Sequence, residues 1–158
     1  MKDLIELQRK LAPEIVGVLE KRYSILRNIY YNQPIGRRAL ANNLNLGERV
    51  IRTEVSVLKE QGLLDINTNG MNVTNDGKLV IEELKDYIHG IKGLNNLEKK
   101  VKDILSIDKV YIVPGDLRDD MLTFRDIAKT ASNFIKHIIK DRDIIGITGG
   151  TTMALLAE

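Results

Sequence analysis

The sequence contains no cysteine and no tryptophan, and its 158 residues include only three prolines and two phenylalanines. Without cysteine, disulfides, thiolate metal sites and a cysteine nucleophile are excluded, and the composition fits a reducing compartment. The N-terminal segment alternates charges with single apolar residues, unlike a signal peptide, and no apolar run is long enough to cross a bilayer. These absences predict a soluble, cytoplasmic protein with no membrane partner.

Charge is unevenly distributed along the chain, although the formal net charge is only +2. Between residues 37 and 59 five basic side chains stand against two acidic ones, which is a local cationic patch and not a polycationic tail. The basic residues are Arg37, Arg38, Arg49, Arg52 and Lys59, and the acidic ones are Glu48 and Glu54. This patch coincides with a helix-turn-helix pattern.

The stretch from residue 34 to residue 71 predicts a winged helix-turn-helix. Its elements are a short helix over Ile35–Asn42, a tight connection over Asn43–Gly47 and a second helix over Glu48–Gln61. The inward side chains of the short helix are Ala39, Leu40 and Ala41. Because the connection is so short, the two helices must cross steeply.

Wound at about 100° per residue, the second predicted helix separates into an apolar half and a cationic, hydroxyl-bearing half. The apolar half consists of Val50, Ile51, Val55, Val57 and Leu58, and the outward half of Arg49, Arg52, Thr53, Ser56 and Lys59. Arginine grips guanine with two parallel hydrogen bonds, hydroxyls suit base edges or phosphate, and lysine neutralises phosphate. The outward half therefore predicts binding in the major groove of duplex DNA, with Arg37 and Arg38 on flanking phosphates.

A small β-hairpin, the wing, is predicted after the second helix, which Gly62 ends as a C-cap glycine. The strands are Leu63–Ile66 and Met71–Thr74, joined by Asn67–Gly70 as a type I′ turn. Asn67 and Asn69 at the tip are placed to touch the DNA backbone or minor groove. A protein-binding winged helix without DNA affinity stays the alternative, because this geometry also occurs in domains that bind proteins.

Helices are predicted on both sides of this motif. The first carries Leu4, Leu7 and Leu11, which are expected to pack on the core, with docking on a second subunit as the alternative. The second runs from Pro13 or Glu14 to about Tyr31, with Ile15, Leu19, Tyr23, Leu26 and Tyr30 on one face. After the wing, Thr74–Gly77 supplies capping side chains for a further helix of the kind that can join two subunits. We therefore expect a homo-oligomer, either a dimer or a tetramer.

From Lys109 onward the pattern becomes that of a parallel α/β unit. Val110–Val113 and Ile144–Ile147 are short apolar runs typical of buried parallel strands. Between them lies a helical pattern whose inner face is Phe124, Ile127, Ala131, Phe134, Ile135 and Ile138. Strand, helix and strand at this spacing predict a right-handed βαβ unit.

The second predicted strand runs into Gly149, Gly150, Thr151 and Thr152, followed by the start of a helix. A glycine pair at this position lets backbone amides converge at the positive end of the helix, and the threonine hydroxyls can donate hydrogen bonds. The pattern suits a phosphate, although it lacks the lysine of a Walker loop and the third glycine of a dinucleotide motif. A tight turn that uses glycine for steric reasons alone is the other interpretation.

Three segments carry a family resemblance: KRYSILRNIYYNQPIGRRALANNLNLGERVIRTEVSVLKEQGLLDI, TNGMNVTNDG and ITGGTTMA. They resemble the glycolytic repressors of Firmicutes, in the SorC/DeoR-type group of sugar-responsive regulators. The resemblance implies repression of a glycolytic operon, relieved by fructose 1,6-bisphosphate, and no cofactor or metal. It also implies an effector domain similar to sugar-phosphate isomerases, in which the loop matching Gly149 to Thr152 holds a phosphate of the ligand.

We divide the chain accordingly into a winged helix-turn-helix DNA-binding domain (1–89), a linker helix (90–108) and the beginning of an α/β sugar-phosphate-binding effector domain (109–158). The last part looks truncated, because two strands cannot bury both faces of a parallel sheet. We expect no enzyme activity. A sugar-phosphate isomerase fused to a helix-turn-helix stays the alternative, because such a reaction needs a general base. The candidate bases are His89, His137, Asp116, Asp119 and Asp120.

Overall fold

A computed structural model describes residues 2–115 and 121–157. Contacts within the chain divide it into two compact units, residues 1–95 and residues 96–158. The first unit holds α1 (Lys2–Leu11), α2 (Pro13–Asn32), α3 (Arg37–Leu44), α4 (Glu48–Glu60), β1 (Leu64–Asn67), β2 (Gly70–Val73) and α5 (Asn75–Ile91). The second holds α7 (Met121–Ile138) and α8 (Thr151–Ala157), and α6 (Leu94–Leu105) begins just before the boundary.

The first unit is built around one apolar core to which α2, α3, α4 and the hairpin all contribute. Its most deeply buried side chains are Ile25, Leu26, Ile29, Leu40, Ile51, Val55, Leu64 and Met71. β1 and β2 form an antiparallel pair in which Leu64 faces Val73 and Asn67 faces Gly70. The alternation of buried and exposed residues in both strands places one face of the hairpin on the core.

Buried polar groups of α2 are satisfied by hydrogen bonds within α2 and to neighbouring elements. The side-chain oxygen of Asn28 accepts hydrogen bonds from the amides of Asn32, at 3.3 Å, and Asn43, at 3.2 Å. The hydroxyl of Tyr23 donates to the carbonyl of Ile81 on α5 at 3.4 Å. A buried amide or hydroxyl without a hydrogen-bond partner would destabilise the folded chain. These bonds satisfy both groups, and they also fix α2 against α3 and α5.

The predicted winged helix-turn-helix is confirmed, with changes at its first helix. That helix begins at Arg37 and not at Ile35, because Ile35 forms an isolated β-bridge with Met71. Leu40 and Ala41 are buried as predicted, whereas Ala39 is exposed. The connection to α4 turns at Asn45, whose φ of 50° is left-handed, and α3 and α4 pack on each other.

The end of α4 follows the predicted glycine stop. Gly62 has a φ of 74°, its amide donates to the carbonyl of Lys59 at 2.9 Å, and the Leu63 amide donates to the carbonyl of Leu58 at 3.0 Å. These two bonds are the Schellman arrangement, which satisfies the last carbonyls of a helix and turns the chain sharply. The chain is thereby directed from α4 into β1.

The apolar faces predicted from periodicity are partly wrong. Leu7 and Leu11 do not pack on the core, since they are 61% and 88% exposed. Ile15 and Val50 also have exposed side chains, whereas Ile25 and Ile29 of α2 are fully buried without having been assigned to its face. Helical spacing identifies an apolar stripe, but neighbouring elements decide which part of that stripe is covered.

The predicted strands of the second unit do not form. Residues 110–113 and 144–147 make no β-ladder among the residues that the structure describes, and the two strands of the hairpin are the paired ones there. A parallel strand exists only through hydrogen bonds to a neighbouring strand, so a β-branched run without a partner stays irregular. The predicted helices are present as α7 and α8, which pack on each other.

None of the described helices has the length and apolar character that crossing a membrane would require.

Candidate nucleic-acid interface

The predicted DNA-contacting surface is the outer side of α4, and the residue before this helix leaves its first turn without a side-chain cap. Gly47 precedes the helix with a φ of −65° and a ψ of 141°, and it offers no side chain to cap the first turn. The first backbone amides of α4 therefore carry no side-chain cap, and the positive end of the helix dipole is not screened by one.

The five outward residues predicted on α4 are all exposed, and they lie within an arc of about 120°, a third of the helix circumference. They are Arg49, Arg52, Thr53, Ser56 and Lys59. Arg49 accepts a hydrogen bond from a side chain, but only at its backbone carbonyl. Among the residues that the structure describes, the charged groups of Arg49, Arg52 and Lys59 have neither an ion pair nor a hydrogen bond. Three cations on one helix side are thus available to an anionic partner.

Thr53 differs from the other outward residues because its hydroxyl is engaged. It donates to the carbonyl of Arg49 at 3.1 Å, one turn earlier in the helix. Its oxygen lone pairs and its methyl group stay available, but its hydroxyl proton does not. The predicted contact of Thr53 is therefore restricted to that of an acceptor or an apolar group.

A buried carboxylate fastens α4 to α2. Glu54 is 7% exposed, and its two oxygens accept from Lys21 Nζ at 2.9 Å and from Arg22 Nε at 2.8 Å. The hydrogen bond from Arg22 lowers the pKa of Glu54 below its usual value of 4.5, and Lys21 adds to this against the opposing effect of burial. We define Glu54, Lys21 and Arg22 as the α2–α4 clamp.

This clamp is absent from the sequence-based site, where Glu54 counted only as one of two acidic residues in a basic patch. A signal was present, because Glu54 lies three residues after Ile51 and four before Leu58, on the buried side of the helix. A charged residue at such a position needs a partner. Which cations supply it depends on how α2 packs, and spacing along α4 does not contain that information.

The two arginines of α3 differ in their surroundings. Arg38 Nε donates to Glu48 Oε1 at 3.2 Å, with side-chain exposures of 85% and 53%. Arg37 is exposed and has no partner among the described residues. Arg37 is therefore free to meet phosphate, whereas Arg38 shares its charge with a carboxylate at the first residue of α4.

The wing turn is not the predicted type I′ turn. Thr68 and Asn69 are the two loop residues, and neither has the positive φ that a type I′ turn needs. Instead Asn67 Oδ1 accepts from the amides of Asn69, at 3.0 Å, and Gly70, at 3.1 Å. The positive φ of 137° falls on Gly70, where a Cβ would lie 2.9 Å from the carbonyl oxygen of Ile35.

This turn separates the roles of the two predicted wing contacts. The oxygen of Asn67 is used to hold the loop, so only its amide nitrogen is left for a ligand. Asn69 is exposed at the tip. Asn67 and Asn69 both lie at the predicted tip of the hairpin.

The predicted phosphate loop lies in the second unit. Gly149, Gly150 and Thr151 are exposed, Thr152 is half-buried, and α8 begins at Thr151. Gly150 has a φ of 148°, and open space surrounds the position that a Cβ would take at Gly149. Phosphate binding by this loop stays a prediction.

The candidate bases of an isomerase are not assembled into a site by the described residues. His137 Nδ1 lies 2.6 Å from the carbonyl oxygen of Asn133, and His89 Nδ1 lies 2.8 Å from Asn95 Oδ1. Each ring thus has a polar partner four or six residues away along the chain. Asp116, Asp119 and Asp120 fall outside the described residues. No group of three or more metal-ligating side chains occurs in residues 2–115 and 121–157.

Two family models match adjoining stretches of the chain. Residues 18–88 match CggR_N, described as "CggR N-terminal DNA binding domain", and residues 89–158 match Sugar-bind, described as "Putative sugar-binding domain". The whole chain aligns with the Central glycolytic genes regulator of Priestia megaterium (strain DSM 319 / IMG 1521) at 43% identity. It aligns with the protein of the same name from Bacillus subtilis (strain 168) at 39% identity.

The chain is thus similar to the N-terminal part of proteins named central glycolytic genes regulator. It is fully covered by both alignments but spans only 46% of the length of each relative. The match to the DNA-binding model contains all of α3, α4 and the hairpin, and the match to the sugar-binding model contains the loop at Gly149. The cationic side of α4 thus lies within the part of the chain that matches a DNA-binding domain.

Proposed function

We propose that this chain represses transcription of glycolytic genes by binding duplex operator DNA, and that a sugar phosphate bound to residues 89–158 relieves the repression. The observation that carries the proposal is the set of cations on the outer side of α4 that have no partner among the described residues. Arg49 and Arg52 read base edges, Lys59 and Arg37 neutralise phosphates, and Ser56 donates to either. The hairpin tip contacts the adjacent backbone or minor groove through Asn69.

The clamp supports this assignment because it presents the cations on a fixed helix. Glu54 draws Lys21 and Arg22 to the inner side of α4, so these two cations neutralise a carboxylate and leave those of the outer side unpaired. A recognition helix held by its inner face loses less side-chain and backbone freedom on binding DNA than a loosely attached one. The matched DNA-binding family adds independent support.

The effector in this proposal is fructose 1,6-bisphosphate, of which one phosphate is bound at Gly149, Gly150, Thr151 and Thr152. The backbone amides at the glycines and the two hydroxyls are the donors. The remaining sugar and the second phosphate need further donors, so we expect the 158-residue chain alone to bind the bisphosphate weakly or not at all. Repression is the function of the assembled regulator, which we take to be a homo-oligomer.

The proposal is tested by DNA binding of the double variant Arg49→Ala/Arg52→Ala. Duplexes are first selected from a random pool with the 158-residue chain, and binding is then followed by fluorescence anisotropy at several salt concentrations. Loss of one base-reading arginine is expected to cost about 1–3 kcal/mol, so the double variant should bind the selected duplex at least tenfold more weakly.

The control removes two positive charges elsewhere, as Lys78→Ala/Lys85→Ala, both on exposed positions of α5. This variant should keep its preference for the selected duplex and lose only what general electrostatics provides. Equal binding by the two double variants would contradict the assignment of α4. Turnover of sugar phosphates followed by NMR would favour the isomerase alternative instead.

A further inference from the structure

Glu48 is an acidic residue at the place where a recognition helix enters a groove. It is the first residue of α4, it is exposed, and it lies one helical turn before Arg52 on the border of the cationic side. A carboxylate there repels the phosphates of DNA and reduces nonspecific attraction. Nonspecific binding to DNA therefore does not explain a carboxylate at this position.

The structure pairs this carboxylate with Arg38 and not with Arg52. Arg38 Nε donates to Glu48 Oε1 at 3.2 Å, although Glu48 and Arg52 have the spacing at which helical ion pairs usually form. Oε2 of Glu48 has no hydrogen-bond partner among the described residues, and the two terminal nitrogens of Arg38 are not used by this bond. Among the described residues the pair therefore leaves one carboxylate acceptor and several guanidinium donors open.

The residues at the start of a recognition helix are those that contact base edges. In the major groove a carboxylate accepts from the exocyclic amino group of cytosine, whereas the oxygens of guanine and thymine repel it. An arginine beside it can hold the side chain in place and bind the neighbouring phosphate with its remaining N–H groups. These are the two roles that the geometry leaves open.

We propose that Glu48 selects a cytosine in the operator by accepting a hydrogen bond from its N4 amino group, and that Arg38 is the positioning residue for Glu48. This inference rests on the proposed DNA binding and adds a specificity that the cationic residues do not supply. Unlike Lys59, Glu48 lowers affinity for all other sequences, so it contributes discrimination more than affinity.

The test compares base preferences of the wild-type chain with those of Glu48→Ala and Glu48→Gln on the selected duplex and its single-base variants. We expect one position at which cytosine is preferred about tenfold by the wild-type chain and not by Glu48→Ala. Replacing that cytosine by 2-pyrimidinone, which lacks the amino group, should weaken the wild-type chain about tenfold and leave Glu48→Ala unaffected. Arg38→Ala should reduce the same preference, and Arg38→Lys should not restore it.

Glu60→Ala is the matched control, because Glu60 is an exposed glutamate at the other end of the same helix. It should leave every base preference unchanged. Identical base preferences in the wild-type chain and Glu48→Ala would overturn the inference while the DNA-binding proposal stands. A Glu48-dependent preference for adenine would overturn the choice of cytosine, and absence of any duplex binding would overturn both proposals.

Discussion

The two units of the chain treat their apolar residues differently. In residues 1–95 the aliphatic side chains of α2, α3, α4 and the hairpin meet in one core, and Ile25, Ile29 and Ile51 have no exposed area. In residues 96–158, Ile144 is 99% exposed and Ile145 and Ile147 are 55% exposed. Helices and a hairpin close a core with local contacts, whereas a parallel sheet requires strands from distant parts of a chain.

The largest effect that separates the two units is expected from truncating one isoleucine in each. Ile51→Ala removes a fully buried side chain between α4 and its neighbours and should lower the free energy of unfolding by about 2–5 kcal/mol. Ile145→Ala, at an exposed position, should change it by no more than about 0.5 kcal/mol. Urea denaturation followed by circular dichroism measures both, and equal losses would show that the contrast in burial has no energetic counterpart.

A smaller effect on stability is expected from replacing two glycines of the first unit that differ in backbone conformation. At Gly70 both the φ of 137° and the carbonyl of Ile35, 2.9 Å from a Cβ, oppose a side chain, so Gly70→Ala should cost about 1–3 kcal/mol. Gly17 lies inside α2 with open space around it, and Gly17→Ala should stabilise the chain by about 0.5–1 kcal/mol. Thermal unfolding of both variants should therefore shift in opposite directions, and a shared direction would contradict the role given to Gly70.

The smallest effect on stability is expected from the α2–α4 clamp, which belongs to the first unit. Glu54→Gln keeps the shape but loses the charge that Lys21 and Arg22 face, and it should cost about 1–2 kcal/mol at neutral pH. Because the folded pKa of Glu54 is depressed, its contribution is fully present above the unfolded value near 4.5 and is lost as the pH falls through the folded value.

The difference in stability between the wild-type chain and Glu54→Gln should accordingly shrink as acid is added. Urea denaturation at a series of pH values from neutral to acidic measures this difference. Glu48→Gln provides the control, since Glu48 is half exposed and its bond to Arg38 is solvent-accessible. A difference between the wild-type chain and Glu54→Gln that is independent of pH would be at odds with an ionised Glu54 in the clamp.

Sequence patterns predicted several local features correctly, although not the type of the wing turn. The bounds of α4, the glycine stop at Gly62 and the capping of α5 by Thr74, whose hydroxyl accepts from the amide of Gly77 at 3.1 Å, each depend on residues a few positions apart. The resemblance to glycolytic regulators was confirmed as well, since the quoted segments lie within the two matched models.

Sequence patterns failed where the outcome depends on a distant partner. Periodicity assigned Ile15 to the inner face of α2, although Ile15 is 59% exposed, and it left out Ile29, which is fully buried. The β-branched runs at 110–113 and 144–147 have strand propensity, but propensity does not supply a neighbouring strand. The clamp was missed for the same reason, because Glu54 and Lys21 are separated by 33 positions.

The outer edge of β2 has a consequence for how this protein behaves at high concentration. The amide and carbonyl of Met71 bond to Ile35, at 2.9 Å and 3.3 Å, and the amide of Val73 donates to the side-chain oxygen of Gln33 at 2.8 Å. An unoccupied strand edge is a template on which another chain can add a strand and begin aggregation. With these groups already bonded, the segment before α3 shields the wing from such growth, so a two-stranded hairpin can project from the surface without recruiting further strands along β2.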